Sequence, residues 1–245
     1  MIKKGVILAG GTGSRLSPIT KITNKHLLPI YNQPMIFYPI ATLKKAGILE
    51  ILIISGQRHA GDFAKLLLDG SEFNMNFSFR VQKGGDGGVA EALYLAKNFA
   101  GNDNIAVILG DNIFEDDFSD QINNFQKGAH IFLKKVSQAN RFGVAEIDNH
   151  KNVINIEEKP NKPKTNFAVT GFYLFDNTVF QKIEKCKISP RGELEITDVN
   201  NFFIQENKMT ASFVSGNWTD AGTFESFFKA TCLAKDLYDK SKENN

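Results

Sequence analysis

The sequence predicts an α/β fold with a predominantly parallel mixed sheet flanked by helices. Three observations lead there. Short apolar runs at residues 6–9, 51–54 and 105–109 have the length and continuity of strands buried on both faces. Helix-spaced segments at 35–46 and 60–68 lie between them, the alternation typical of a parallel sheet. After Arg141 several β-like segments follow one another, which adds a small β-rich subregion.

The first run, 6–9, ends in Gly10, Gly11 and Gly13. Glycine permits positive φ, and successive amides in such a loop can form an anion cradle. Arg15 and Lys25 add two cations to the same connection. A glycine loop after a buried strand, with cations downstream, suits a nucleoside triphosphate. It is not a P-loop, because Ser14-Arg15 follows Gly13 where Lys-Ser/Thr is needed, and Leu16 replaces the third glycine of the dinucleotide fingerprint.

In the 35–46 segment Ile36, Ile40 and Leu43 share one side, Pro39 predicts a kink or a late start, and Gly47 ends the helix. The 60–68 helix follows the second strand, and Phe77, Phe79 and Val81 alternate as in a third. The loop 82–88 then leads into a helix near Val89. Gln82 offers amide donors and an acceptor that can match a pyrimidine edge, and Gly87 permits close approach.

The run 105–109 ends in Gly110-Asp111-Asn112, where a strand tip can present a carboxylate to a metal. A surface helix at 119–126 and a strand at 131–136 are expected next. Strands at 144–147 and 153–156 flank the turn Asp148-Asn149-His150. Glu158 and Lys159 after them fit either a surface pair or polar contacts to a ligand. A strand at 172–175, a helix capped by Asn177, a charged stretch at 191–198 before a helix containing Phe202 and Phe203, and a last strand at 210–214 complete the series. Trp218, the sole tryptophan, fits a pocket wall or core packing, and Asp220 follows it. A final helix spans 224–238, leaving one domain over 1–238 and a frayed polar tail over 239–245.

Composition narrows the function. A net charge of +2 gives no global field toward nucleic acid or an anionic membrane. The 2 cysteines lie far apart, which argues against a disulfide scaffold or a zinc site. The 4 histidines lack metal spacing and read as packing or surface residues. No apolar run has the length of a membrane span or a signal-peptide core, so a cytoplasmic address is expected.

Gly-Gly-Thr-Gly-Ser-Arg-Leu followed by Lys-His-Leu-Leu-Pro resembles the signature of the sugar-phosphate nucleotidyltransferases. Leu109-Gly110-Asp111-Asn112, Glu157-Glu158-Lys159-Pro160 and the 191–198 stretch extend the resemblance over nearly the whole chain, and the pattern is most similar to members joining dTTP to glucose 1-phosphate. The resemblance implies a Rossmann-like, nucleotide-diphospho-sugar transferase fold with the β-rich subregion over the sugar. It implies Arg15 and Lys25 as catalytic cations, and Leu8, Gly10, Gly11, Thr12, Gly13, Gln82, Gly87 and Asp111 around the nucleotide, with Gln82 and Gly87 on the thymine. It implies Asn112, Gly143, Glu158, Lys159 and Val169 around the sugar phosphate, and Asp111 and Asp220 as ligands of Mg2+. Relatives are homo-oligomers, often tetramers. Two departures stand out: Gly88 replaces a frequent leucine, and the chain stops before the C-terminal helices that form a regulatory nucleotide site in longer relatives. UTP or another hexose phosphate is the nearest alternative. A non-catalytic nucleotide-sugar binding module is a further one, against which stands the presence of Arg15, Lys25, Asp111 and Asp220 together.

Overall fold

β1 (Lys4–Ala9) takes the centre of the sheet because both its faces are apolar, with Val6, Ile7 and Ala9 fully buried. A computed structural model describes residues 1–84 and 87–243. Gly85 and Asp86 of the expected 82–88 loop, and the last two residues of the expected tail, lie outside the described residues. A ribbon of β2 (Pro29–Ile30) and β3 (Gln33–Pro34) precedes α1 (Phe37–Lys45). Pro39 explains why α1 starts at Phe37: it lies in the first turn, where its missing N–H would have no intrahelical partner.

β4 (Glu50–Gly56) pairs parallel with β1, α2 (Ala60–Leu67) follows, and β5 (Asn76–Gln82) pairs parallel with β4 at the sheet edge. α3 (Gly88–Tyr94) and α4 (Lys97–Ala100) lead to β6 (Ile105–Leu109), parallel to β1 on its other side. Alternate residues of these strands face opposite layers. Val6, Leu8, Ile54 and Val107 pack with Leu93, Phe180 and Phe203, while Ile7, Ile53 and Ile108 pack with Ile40, Leu43, Phe63 and Ile122.

Beyond β6 the pairing turns antiparallel. β7 (Asn112–Phe114) is followed by α5 (Ser119–Asn124), which ends two residues before the expected 126. β8 (Ala129–Lys135), β9 (Gly143–Ile147), β10 (Val153–Glu158) and β11 (Phe167–Phe175) come next, with β9 and β10 forming the expected hairpin. β11 is the branch point. One edge pairs with β8, while the other is divided: Phe172 to Phe175 pair with β6, and Ala168 pairs with Val144 of β9. The sheet therefore forks, and the tip of β6 opens into the fork.

α6 (Val179–Ile183) is not capped by Asn177; Asp176 instead accepts from the Thr178 N–H at 3.0 Å and the Gly128 N–H at 2.6 Å. α7 (Ile196–Gln205) begins inside the charged stretch, and β12 (Met209–Phe213) pairs parallel with β8. It is not the last strand, because β13 (Trp218–Asp220) pairs with β7. α8 (Phe224–Glu243) packs Ala230, Leu233 and Ala234 against Ile30, Met35 and Ile113. The expected frayed tail is thus helical through Glu243, and Lys240 ties it to Glu115 at 2.5 Å. Among the described residues no helix is long and apolar enough to cross a membrane.

His130 on β8 meets Thr210 Oγ1 at 2.8 Å through Nδ1, while its buried Nε2 finds no partner among the described residues. Burial pushes its pKa down to about 4. The unfolded chain therefore binds this proton first, near pH 6.5, and stability falls as pH drops from there toward 4. His130→Gln should reduce the loss of unfolding free energy between pH 7 and pH 4.5 by about 2 kcal/mol, measured by urea denaturation at both pH values.

Candidate active site

Backbone freedom at two glycines shapes the loop after β1: Gly11 has φ 86° and Gly13 has φ 64°. A short 3-10 turn, Ser14–Leu16, is anchored by fully buried Leu16 and leaves Arg15 exposed toward solvent and the loop. The Arg15 guanidinium lies against Gly222, where an added Cβ would come within 3.1 Å of Nη2. Thr20 Oγ1 donates to Gly13 O at 2.9 Å and closes the loop from behind.

Asn24 positions Lys25. Its Oδ1 accepts from the His26 backbone N–H at 2.9 Å and meets His26 Nδ1 at 2.7 Å. Its Nδ2 donates to Ala9 O, at the end of β1. The turn Lys25–Leu27 is thereby tied to the strand tip, and Lys25 Nζ pairs with Asp111 Oδ2. His26 is a packing residue, as expected, yet it also borders the cleft. Burial, with the Lys25 charge beside it, lowers its pKa to about 3, so the ring is neutral. Gly110 makes room for that ring, since a Cβ there would approach Cδ2 to 2.8 Å.

Asp111 and Asp220 sit on hydrogen-bonded neighbouring segments. Asp220 lies opposite Asn112 in the β7–β13 pair, and the Ala221 N–H donates to Asp111 O at 2.9 Å. Burial opposes ionisation of Asp111, but the Lys25 charge and donors from Lys25 and Asn112 outweigh it and hold the carboxyl well below its ordinary range. Asp220 shifts upward because of burial and the Asp111 charge, against the pull of Arg141, Arg15 and Lys25. Arg141 Nη2 stands 3.3 Å from Asp220 Oδ2. Among the described residues no group of three or more metal-ligating side chains occurs. Two carboxylates that feel each other's charge nevertheless suit Mg2+, which typically takes one or two carboxylates and completes its shell with water and substrate phosphates.

The opposite wall comes from β5 and α3. Gln82, 4% exposed, donates from Nε2 to Glu91 Oε2 at 2.7 Å, and its Oε1 lies over Gly10. Gly88, at φ 91°, is pressed against Leu194, whose carbonyl oxygen would meet an added Cβ at 2.5 Å. Gly88 lines the cleft, and Gly87 beside it leaves room for the Glu91 carboxylate.

These walls enclose a cleft of about 630 Å³. It brings together Leu8, Gly10, Gly11, Thr12, Gly13, Arg15, Lys25, Gln82, Asp111 and Lys159 from the sequence expectations. Asp220 faces a neighbouring cavity of about 720 Å³, and Arg141 borders both. Glu158 stands behind the cleft lining, held by Thr197 Oγ1 at 2.6 Å and by Arg191 Nη1 at 3.1 Å, with Lys159 Nζ at 3.5 Å. Gly143 pairs with Glu158 across the hairpin, and Val169 is buried on β11, so neither lines the cleft. Asn112 is buried as a joint: its Oδ1 accepts from the Gly171 N–H at 3.0 Å and from Trp218 Nε1 at 2.7 Å. Trp218 answers to both of its readings, packing against Phe114 and Phe142 while bordering the neighbouring cavity.

Arg141, Arg191 and Glu193 border the cleft without having been singled out from sequence. Arg141 opens the hairpin and Arg191 opens the charged stretch before α7, so each had a positional signal without a ligand pattern.

A family model described as nucleotidyl transferase matches residues 4–236. A glucose-1-phosphate thymidylyltransferase of Neisseria meningitidis is 41% identical over 240 residues, covering 96% of this chain and 83% of its own. One from Xanthomonas campestris is 42% identical, covering 93% and 79%. A crystal structure described as a glucose-1-phosphate thymidylyltransferase from Bacillus anthracis, in complex with a sucrose, superposes with TM-score 0.90 at 51% identity and 95% coverage of both chains. A UDP-glucose pyrophosphorylase complexed with UDP-glucose superposes with TM-score 0.85 at 26% identity, covering 96% of this chain and 99% of its own.

Asn112→Ala removes the acceptor of two inward-facing donors, the Gly171 N–H and Trp218 Nε1. It should lower unfolding free energy by about 2 kcal/mol, read by chemical denaturation, and Asn112→Asp, which keeps the acceptor but turns a carboxylate oxygen onto Asp111 Oδ1, should lose at least as much.

Proposed function

Since the chain belongs to the nucleotidyl transferase family, we propose that it transfers the thymidylyl group of dTTP to α-D-glucose 1-phosphate, giving dTDP-glucose and pyrophosphate. The observation that carries this reading is one cleft holding the glycine loop, Arg15, Lys25, Gln82 and Asp111 at neighbouring strand tips. A phosphate oxygen of the sugar attacks the α-phosphorus, that P–O bond forms, and the bond to the leaving pyrophosphate breaks. The nucleophile is already anionic, so no protein base is needed. The obstacles are repulsion between two anions and charge gathering on the leaving group. Positioned cations answer both.

Loop residues Gly10 to Gly13 hold the triphosphate. Arg15 faces the pyrophosphate with the fixed donor fork of a guanidinium. Lys25 lies between Asp111 and the reacting phosphates. Lys159 and Arg191 attract the sugar phosphate, and Glu158, its oxygens held by Thr197 and Arg191 behind the cleft lining, is released toward the sugar hydroxyls when Arg191 turns to the phosphate. Asn112, Gly143 and Val169 set the floor beneath. Asp111 and Asp220 would hold Mg2+, and when bound it would supply charge neutralisation to the phosphate oxygens. UTP in place of dTTP is a second reading, favoured by the likeness to the UDP-glucose pyrophosphorylase.

Pyrophosphate release measured with dTTP and UTP against glucose 1-phosphate and other hexose phosphates tests the reaction. Activity with none of these pairs would defeat it. Arg15→Ala should keep the fold, by circular dichroism, and lower turnover roughly 10²- to 10³-fold. Excess chelator should abolish pyrophosphate release and added Mg2+ should restore it; full activity in chelator would remove the metal role from Asp111 and Asp220.

A further inference from the structure

The hydrogen bond between Gln82 and Glu91 decides more than local packing. Gln82 is nearly fully buried at the C-terminal tip of β5, and its amide has two faces with opposite hydrogen-bonding character. A carboxylate only accepts, so Glu91 Oε2, 2.7 Å from Nε2, draws the NH2 group to its own side. The carbonyl oxygen Oε1 is then left over Gly10, on the cleft wall. Turning the amide over would set Oε1 against the carboxylate, two acceptors face to face, and leave buried polar atoms unpaired. Gly87 makes the contact possible: an added Cβ there would come within 1.5 Å of Glu91 Oε2.

Held this way, Gln82 offers the cleft an acceptor from Oε1, beside a remaining Nε2 hydrogen. That pattern complements N3–H and O4 of thymine or uracil. Cytosine presents the reverse, an acceptor at N3 and a donor at N4, and would need the inverted amide. We infer that Glu91 selects the pyrimidine, admitting thymine and uracil and turning cytosine away by denying Gln82 its second orientation. The 5-methyl group plays no part in this contact, so Glu91 does not separate thymine from uracil. Glu91 is a positioning residue, acting through Gln82, and the inference rests on the reading of Gln82 as the base contact.

The experiment compares kcat/KM for dTTP, dUTP and dCTP with glucose 1-phosphate in the wild type, Glu91→Gln and Gly87→Ala. Glutamine at 91 can donate or accept, and a methyl at 87 displaces the carboxylate, so each variant frees the Gln82 amide. The dTTP-to-dCTP preference should fall roughly 10- to 100-fold in both, the scale of one buried unsatisfied polar group. The dTTP-to-dUTP ratio should stay as in the wild type. A general structural defect would lower all three substrates together and leave both ratios unchanged. An unchanged dTTP-to-dCTP ratio in variants still active on dTTP overturns the inference alone. A wild type that uses none of the three overturns the functional reading, and the inference with it.

Discussion

The ion pair between Lys25 and Asp111 is the constraint on which the rest of the site depends. It bridges the connection after the glycine loop to the tip of β6 and brings opposite charges into a partly buried place. Breaking such a pair by removing one partner leaves an uncompensated charge, so each side fixes the other. Asn24 anchors the lysine end through Ala9 O and His26, and Asn112 anchors the carboxylate end. A neutral His26 fits this arrangement, since a second buried cation beside Lys25 would oppose it.

Charge is arranged in opposed pairs across the whole cleft. Asp111 faces Lys25, Asp220 faces Arg141, and Glu158 faces Arg191 and Lys159. Each of these carboxylates has a cation beside it without any ligand in the cleft. The buried carboxylates could not otherwise stay together near neutral pH, as the upward shift of Asp220 by burial and by Asp111 illustrates. Lys25 is enclosed beside Asp111, whereas Arg15, Lys159 and Arg191 stand out toward solvent around the cleft.

The forked sheet explains why these pairs converge. β11 gives one half of an edge to β6 and the other half to β9, so the β6 tip faces the hairpin whose end carries Glu158. Gly171 stands at the fork without a side chain, and Asn112 fills the space and satisfies its N–H. β13 then adds Asp220 by pairing with β7, the short strand that begins at Asn112. The parallel half of the sheet thus presents the glycine loop and Gln82, and the antiparallel half presents Glu158 and Lys159, at strand ends where ligands gather in open α/β sheets.

Much of this was determined by the sequence alone. Apolar runs at the centre, the glycine loop, Arg15, Lys25, Gln82 and the Gly110-Asp111-Asn112 tip are local patterns, and burial on both faces or a demand for positive φ leaves few other arrangements for them. What depended on contacts between distant residues was decided by the tertiary structure. Arg141 and Asp220 are 79 positions apart and meet only because β9 and β13 flank the same fork. Gly87 has no Cβ where the Glu91 carboxylate reaches toward Gln82, and Gly88 none where Leu194 packs against it, two demands set by residues distant in the chain or across a turn. The polar end of the chain is helix through Glu243, where Tyr238 packs on Tyr31 and Lys240 pairs with Glu115, partners no local pattern discloses. Periodicity and turn chemistry act within a few residues, whereas charge pairing and amide orientation act across space.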